Sequence, residues 1–267
     1  MANSKIQSGF TLIELLIGVL MASIVTYAAM SLYITQHKQM IVQDQIADMQ
    51  ANTRAAAEVI ANAVKKAGMN APRSAAIGTA DTNPDSITVM YDSGELHNVQ
   101  IEVTMPTTSS ELRCDGHDLS AVEENDWIYL YDPYADAGEF LQVTHVQYSD
   151  HLQHNTMPTM RLYPAGSKVV KMNHVKFYVD QSNPDHPTLM IETINTSPQP
   201  FAENIIDLNF RYYLATGAVV TQTNTPELIR MVEIDVVGRT HDPDDEFFTA
   251  YRTRNFNLRV KVRNLDL

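Results

Sequence analysis

The sequence has a single cysteine, Cys114, and a single tryptophan. No intrachain disulfide can form, and zinc sites that need two or more cysteines are excluded with it. Basic residues are also scarce: 19 Lys and Arg stand against 32 Asp and Glu, a formal charge of −13. That balance argues against a nucleic-acid binder that works by neutralising phosphates. No proline occurs before Pro72, and residues 15–36 contain no formally charged side chain. Neither a P-loop, a GxGxxG fingerprint nor a GxSxG nucleophile elbow is present, which removes the commonest nucleotide-binding and hydrolase signatures. Hydrophobic residues are not lacking. At 44% of 267 positions they can build a core, and the length suits one large domain or two small ones.

The charge-free stretch belongs to a longer apolar run over residues 10–34, in which Glu14 is the only charge. As a helix the run would measure about 37 Å, enough to cross a hydrocarbon core of about 30 Å with some tilt. Lys5 is the only basic residue before it, and His37 and Lys38 mark its end. The segment therefore targets or anchors the chain. A cleavable secretory signal is one reading, with Lys5 as its basic start and Thr26-Tyr27-Ala28 as a small-x-small cleavage site. Glu14 counts against it, because an ionised group inside an apolar segment costs several kcal/mol unless paired. So does the pattern beyond the supposed cut.

Val42, Ile46, Met49, Thr53, Ala56, Ile60, Ala63 and Ala67 follow one another at alternating spacings of four and three. All but Thr53 are apolar, so they form one helical stripe. Asp44, Asp48, Arg54, Glu58, Lys65 and Lys66 occupy the other face, with Arg54 and Glu58 at ion-pair spacing. Gly68 is a C-terminal stop, with Pro72 just beyond. The spacing predicts one helix over residues 10–67, about 87 Å long. Its half over residues 10–35 is apolar all round, and its half over residues 36–67 is amphipathic.

Gly9-Phe10-Thr11-Leu12-Ile13-Glu14, behind a short leader containing Lys5, resembles the processing site of type IV prepilins. The resemblance implies that residues 1–9 are a leader removed after Gly9 by a prepilin peptidase. Phe10 would then be the N-methylated first residue, and Glu14 an intramembrane acid that docks subunits together with Phe10. A carboxylate in hydrocarbon needs a cationic partner, and the new amine at Phe10 supplies one in the same helix or in a neighbour. The chain departs from the family in lacking a proline midway along the apolar run, where it has Gly18 and Ser31.

Residues 68–86 are small, polar and proline-punctuated, and read as a linker into a β-rich head over residues 87–267. Strand-like runs follow at 87–91, 99–104, 127–131, 140–147, 160–163, 175–179 and 189–193. No βαβ alternation, repeat or low-complexity tract is visible. The last third alternates cleanly. Ile206, Leu208, Phe210, Tyr212 and Leu214 share one face of a strand over 205–214, and Leu228, Val232, Ile234 and Val236 one face over 228–237. Phe256, Leu258, Val260 and Val262 do the same over 256–265, opposite Arg259, Lys261 and Arg263. A period of two predicts half-buried antiparallel strands. Pairing the last two sets Glu233 and Asp235 beside the basic face, with the apolar faces packed on the helix stripe.

The segments AENIIDLNFRYYL, IRMVEIDVVGRT and YRTRNFNLRVKVRNL resemble the C-terminal strands of PilW-type minor pilins. QIADMQANTRAAAEVIANAVKKAGM resembles that family's second half-helix, including the closing Ala67-Gly68 pair. The resemblance implies an α+β pilin fold, a long N-terminal helix packed on an antiparallel β-sheet head. It implies a structural role rather than catalysis: a minor subunit that primes assembly of a type IV pilus or sits at its tip. Implied partners are other major and minor pilins, the prepilin peptidase, the inner-membrane assembly platform with its motor proteins, and the lipid bilayer. Nucleic acid is not expected among them. The chain would wait in the inner membrane with its head in the periplasm, then enter a surface fibre. J-type minor pseudopilins of type II secretion share much of this pattern but are usually shorter. A binding module at a fibre tip, for adhesion, DNA or a calcium-dependent ligand, is the reading from another class.

Candidate sites of chemistry are few. Cys114 and His117 lie close in sequence without a haem-attachment pattern. His151 and His154 offer two metal ligands, with His145 and His174 as remote candidates for zinc. Asp242, Asp244, Asp245 and Glu246, and the segment from Asp132 to Glu139, are oxygen-rich loops of the kind calcium prefers, so calcium is the one cofactor in view. The basic residues 252–263 alternate with apolar ones, which fits a sheet face better than a DNA contact.

Overall fold

The computed structural model describes residues 11–135, 137–155, 159–194, 196–244 and 250–265. One α-helix, α1, spans Leu12–Lys66. Thirteen strands follow among the described residues: β1 Ile77–Ala80, β2 Ser86–Asp92, β3 Leu112–Arg113, β4 Trp127–Asp132, β5 Ala137–Gln147, β6 His151–His154, β7 Lys168–Asp180, β8 Thr188–Thr193, β9 Thr196–Glu203, β10 Ile205–Leu214, β11 Val219–Val220, β12 Ile229–Arg239 and β13 Thr253–Lys261. All their pairings are antiparallel. The expected α+β class, one long N-terminal helix and antiparallel sheets, is what the structure contains. The chain divides into two compact units, residues 1–48 and 49–267.

In the second unit, the helix stripe is buried from Met49 onward through Thr53, Ala56, Ile60, Ala63 and Ala67, and widened by Ala57, Ala61 and Val64. The helix stops where expected. Gly68 adopts a left-handed φ of +75°, and its amide donates to the carbonyl of Met90 at 3.0 Å. A Cβ there would lie 3.0 Å from Leu265 Cδ2, so glycine serves both the turn and the packing.

This stripe forms one core with Leu208, Phe210 and Tyr212 of β10, Val232, Ile234 and Val236 of β12, and Val260 of β13. These strands form the four-stranded sheet β11-β10-β12-β13. Close approach is possible because the stripe is mostly alanine and because Gly238 of β12 has no side chain. A Cβ on Gly238 would collide with the Thr53 hydroxyl, which donates back to the Met49 carbonyl at 2.6 Å. The predicted charge pairing across β12 and β13 is present: Glu233 stands opposite Arg259, with Nε to Oε2 at 3.0 Å. Two face assignments change. Leu228 lies in a 3-10 turn, Pro226–Leu228, and Ile229 takes the buried position at the start of β12. A bulge between Ile205 and Asp207 turns Ile205 inward, and Ile206 is only half-buried.

The other sheet runs β1-β2-β7-β4-β5-β6-β3, with β8 on β7 and β9 on β8. Its long strand β7 serves two cores. Val175, Phe177 and Val179 join the helix-packed core, whereas Val169 belongs to a separate one. That second core is built by residues inserted between β2 and β7, among them Ile101, Leu112, Ile128, Leu130, Leu141, Val143, Leu152 and Tyr163.

Three sequence expectations are corrected here. Residues 68–86 are not a free linker: β1 pairs with β2, Ala76 and Ile77 are buried, and Asp85 accepts the Phe210 amide at 2.9 Å. Polar composition suggested a solvated segment, but Asp85 docks it to β10, and Thr79 and Asp81 bond to residues 221–223. Residues 99–104 form only an isolated bridge at Gln100: Val99 and Ile101 bond to residues 166–169, and Glu102 turns away to Arg113. Residues 160–163 are irregular because Glu139 and Asp132 claim them. The Met160 amide and Tyr163 hydroxyl donate to Glu139, and Arg161 pairs with Asp132 at 2.9 Å.

Candidate functional site

The N-terminal end of α1 carries the strongest sequence signal. Gly9 and Phe10 lie outside the described residues. Glu14 does not: its Oε2 accepts the backbone amide and the hydroxyl of Thr11, both at 2.8 Å, while the Glu14 amide donates to the Thr11 hydroxyl at 3.4 Å. This reciprocal pair is a capping box, with Thr11 as the cap and Glu14 three residues on. Sequence reasoning gave Glu14 one job and missed this one, although Thr-x-x-Glu before an apolar run is its signature. Among the described residues, Glu14 Oε1 takes no hydrogen bond.

Beyond the cap, the apolar side chains Leu12, Ile13, Leu15, Leu16, Val19, Leu20, Ile24, Val25, Met30 and Leu32 are all exposed. Three hydroxyls here are satisfied within the helix: Ser23 donates to the Leu20 carbonyl at 2.7 Å, Thr26 to Ala22 at 2.8 Å and Thr35 to Ser31 at 3.0 Å. Back-bonded hydroxyls are compatible with lipid, where an unmet donor costs several kcal/mol. Tyr33 stacks on His37 at 6.0 Å where the apolar run ends, the position at which aromatic rings meet a bilayer surface. Among the described residues, α1 is the one helix long and apolar enough to cross a membrane.

The other candidates are dispersed. Cys114 is fully buried, and burial, with Asp115 and Asp150 nearby, pushes its thiol up to about 12. Such a thiol is inert at neutral pH. His117 turns to Glu102 at 2.9 Å. The run His151 to His154 does not place two ligands side by side, because successive residues of β6 face opposite ways and the two histidines are three apart. His154 Nε2 donates to the Ser110 carbonyl at 3.0 Å, whereas His151 reaches Asp115 at 2.9 Å. His145 pairs with Glu124 at 2.7 Å, and His174 packs edge-on to Phe140.

Of the acidic loop, Asp245 and Glu246 lie outside the described residues. Asp244 is engaged by Arg252 at 2.7 Å, and Asp242 Oδ1 lies 3.9 Å from His241. In the segment from Asp132 to Glu139, Asp132 accepts the Tyr134 amide at 2.9 Å and binds Arg161. Sequence spacing also could not show that Asp115, Asp150 and His151 gather, since Asp115 and His151 are 36 positions apart.

Comparison with known proteins agrees with the motif. Residues 4–30 match the family model for the prokaryotic N-terminal methylation motif. No curated protein matches the sequence. Among solved structures, a type IV-like pilin from Thermus thermophilus aligns over 82% of this chain and 98% of its own, at 9% identity and a TM-score of 0.39. That likeness is too distant to bear on the assignment. What stands is narrower: the chain carries a prokaryotic N-terminal methylation motif over residues 4–30, leading into a helix that is apolar at first and then packed on antiparallel sheets.

Proposed function

We propose that this protein is a minor pilin of the PilW type, which primes assembly of a type IV pilus or occupies its tip. The observation that carries this reading is the methylation motif over residues 4–30, leading into a helix whose apolar first half has one carboxylate, Glu14. A prepilin peptidase cuts after Gly9 and methylates the amine of Phe10. Before assembly, α1 anchors the chain in the inner membrane with the head in the periplasm; afterwards the same apolar surface packs among other pilins. Glu14 uses Oε2 to cap its own helix, which leaves Oε1 to accept the cationic terminus of its own or a neighbouring subunit.

Mass spectrometry of the mature N-terminus tests the processing. A chain beginning at N-methylated Phe10 supports the proposal, and one beginning after Ala28 returns the segment to an ordinary secretory signal. Glu14→Ala is expected to leave cleavage intact but lower recovery in sheared fibres roughly tenfold or more, since an unpaired charge in hydrocarbon costs a few kcal/mol. Unchanged entry into fibres would remove Glu14 from docking. Loss of exoprotein release on deletion, with fibres intact, would move the protein to type II secretion.

A further inference from the structure

The charge of the head is concentrated in one place. Residues 93–167, the insertion between β2 and β7, hold twelve Asp and Glu, two Arg, no Lys and five of the nine His. Within this lobe, three ligand-bearing side chains converge from separate segments. β3 and β6 pair so that Arg113 stands opposite His151, and the Cys114 amide donates to the Asp150 carbonyl at 2.8 Å. This pins the turn after β3 against the tip of the β5–β6 hairpin. Asp115 Oδ1 then lies 2.9 Å from His151 Nε2, and Asp150 Oδ1 lies 3.7 Å from it. The ligand atoms of all three residues lie within 4.8 Å of one another.

We propose that Asp115, Asp150 and His151 bind one divalent metal ion of the zinc class. An acidic cluster alone would not justify this. The further observation is that Asp150 Oδ1 is shut off from solvent and has no hydrogen-bond partner among the described residues. A buried carboxylate oxygen without a donor is costly, and a cation satisfies it. The spacing fits as well. Ligands on tetrahedral zinc, at about 2.0–2.2 Å from the metal, are about 3.4 Å apart, between the two distances seen from His151 Nε2.

The surroundings are those of a metal-binding imidazole. With metal on Nε2, the proton of His151 would reside on Nδ1, and Glu111 Oε1 lies 3.2 Å from that nitrogen. A carboxylate behind the distal nitrogen fixes the tautomer and raises ligand basicity. Arg113 holds Asp115 through Oδ2 at 2.9 Å, which leaves Oδ1 for the metal. Two carboxylates balance a +2 ion, and the nitrogen ligand favours zinc-like metals over calcium, which prefers all-oxygen sites. The fourth position is open to water.

The rival account is an imidazolium held among three carboxylates with no metal. Zinc titration of the detergent-solubilised full chain, stripped with EDTA and followed by calorimetry, separates the two. The proposal expects saturable binding of one zinc per chain and a higher Tm with zinc than with EDTA. Asp150→Asn and His151→Gln should abolish both effects. Glu111→Gln, which removes no ligand, should weaken binding about 10- to 100-fold. His145→Gln, at a histidine paired elsewhere with Glu124, should change nothing. No saturable binding by the wild type, or equal binding by D150N with an unchanged circular dichroism spectrum, would overturn the proposal.

Discussion

The head contains two cores that solve the same problem differently. One is completed by the helix: small residues of α1, Ala56, Ala57, Ala61 and Ala63, lie against β10, β12 and β13, and Gly238 removes the last side chain in the way. The other is closed by its own strands, with Leu112, Leu130, Leu141, Leu152 and Tyr163 filling it and no helix residue taking part. Their surfaces differ too. The insertion over residues 93–167 carries −10 of the chain's −13, so the rest is nearly neutral. Close packing on a helix favours small apolar residues, whereas a lobe free of that duty can gather carboxylates and imidazoles. The three proposed zinc ligands are all in the second lobe, whereas the methylation motif leads into the helix.

The widest test of this contrast deletes packing from each core in turn. Ile60→Ala and Leu130→Ala should each cost about 2–5 kcal/mol, as large-to-small changes at fully buried sites do. Trp127, the only tryptophan, lies in β4 of the insertion, so its fluorescence follows that core while circular dichroism follows the whole head. Because β7 runs through both cores, Ile60→Ala is expected to shift both signals together. Separate transitions would show two independently folding lobes.

A narrower test addresses the helix contact alone. Gly238→Ala should cost about 1–3 kcal/mol by overpacking against Thr53. Combining it with Thr53→Ala should recover part of that loss, since the two changes share one contact. Additive losses in thermal melts would mean that the close approach is not the cause.

The smallest effect concerns charge on the outer face of the helix-packed sheet. Hydrogen bonds from Tyr213 and Asn257, aided by Arg259, hold the Glu233 carboxyl below the usual glutamate range. A lowered native value means that the contribution is complete above the unfolded value, about 4.3, and fades as pH falls through the native one. Glu233→Gln is therefore expected to lower Tm at pH 7 by about 2–4 °C, and the gap to the wild type should close in acid. Asp85 and Asp235 shift the other way, chiefly because burial disfavours their charged forms. A gap that persists in acid would assign the loss to packing instead.

Legibility in the sequence followed the same division. The helix stripe and the strands around Phe210, Ile234 and Val260 could be read directly, because each buries one face and so repeats with its own period. The pairing of Glu233 with Arg259 followed from those periods. Inside the insertion the reading was poorer. Val99 and Ile101 are buried without belonging to a strand, and residues 160–163 are shaped by Glu139 and Asp132 rather than by a neighbouring strand. The site at the helix start was visible as a motif, yet the capping role of Thr11 emerged only from its bonds to Glu14.

What the sequence determined by itself is whatever is local: where the chain is apolar, where α1 stops at Gly68, and which residues form the methylation motif. Spacing along one helix or strand is enough for those, since periodicity and capping act over a few residues. Tertiary structure alone decided which distant groups meet. It split the head into two cores along β7, docked residues 76–85 that looked like linker, and brought Asp115 against Asp150 and His151. Such contacts depend on strand pairing and register. No short-range pattern encodes them, because the pairing energy belongs to two segments and not to either one.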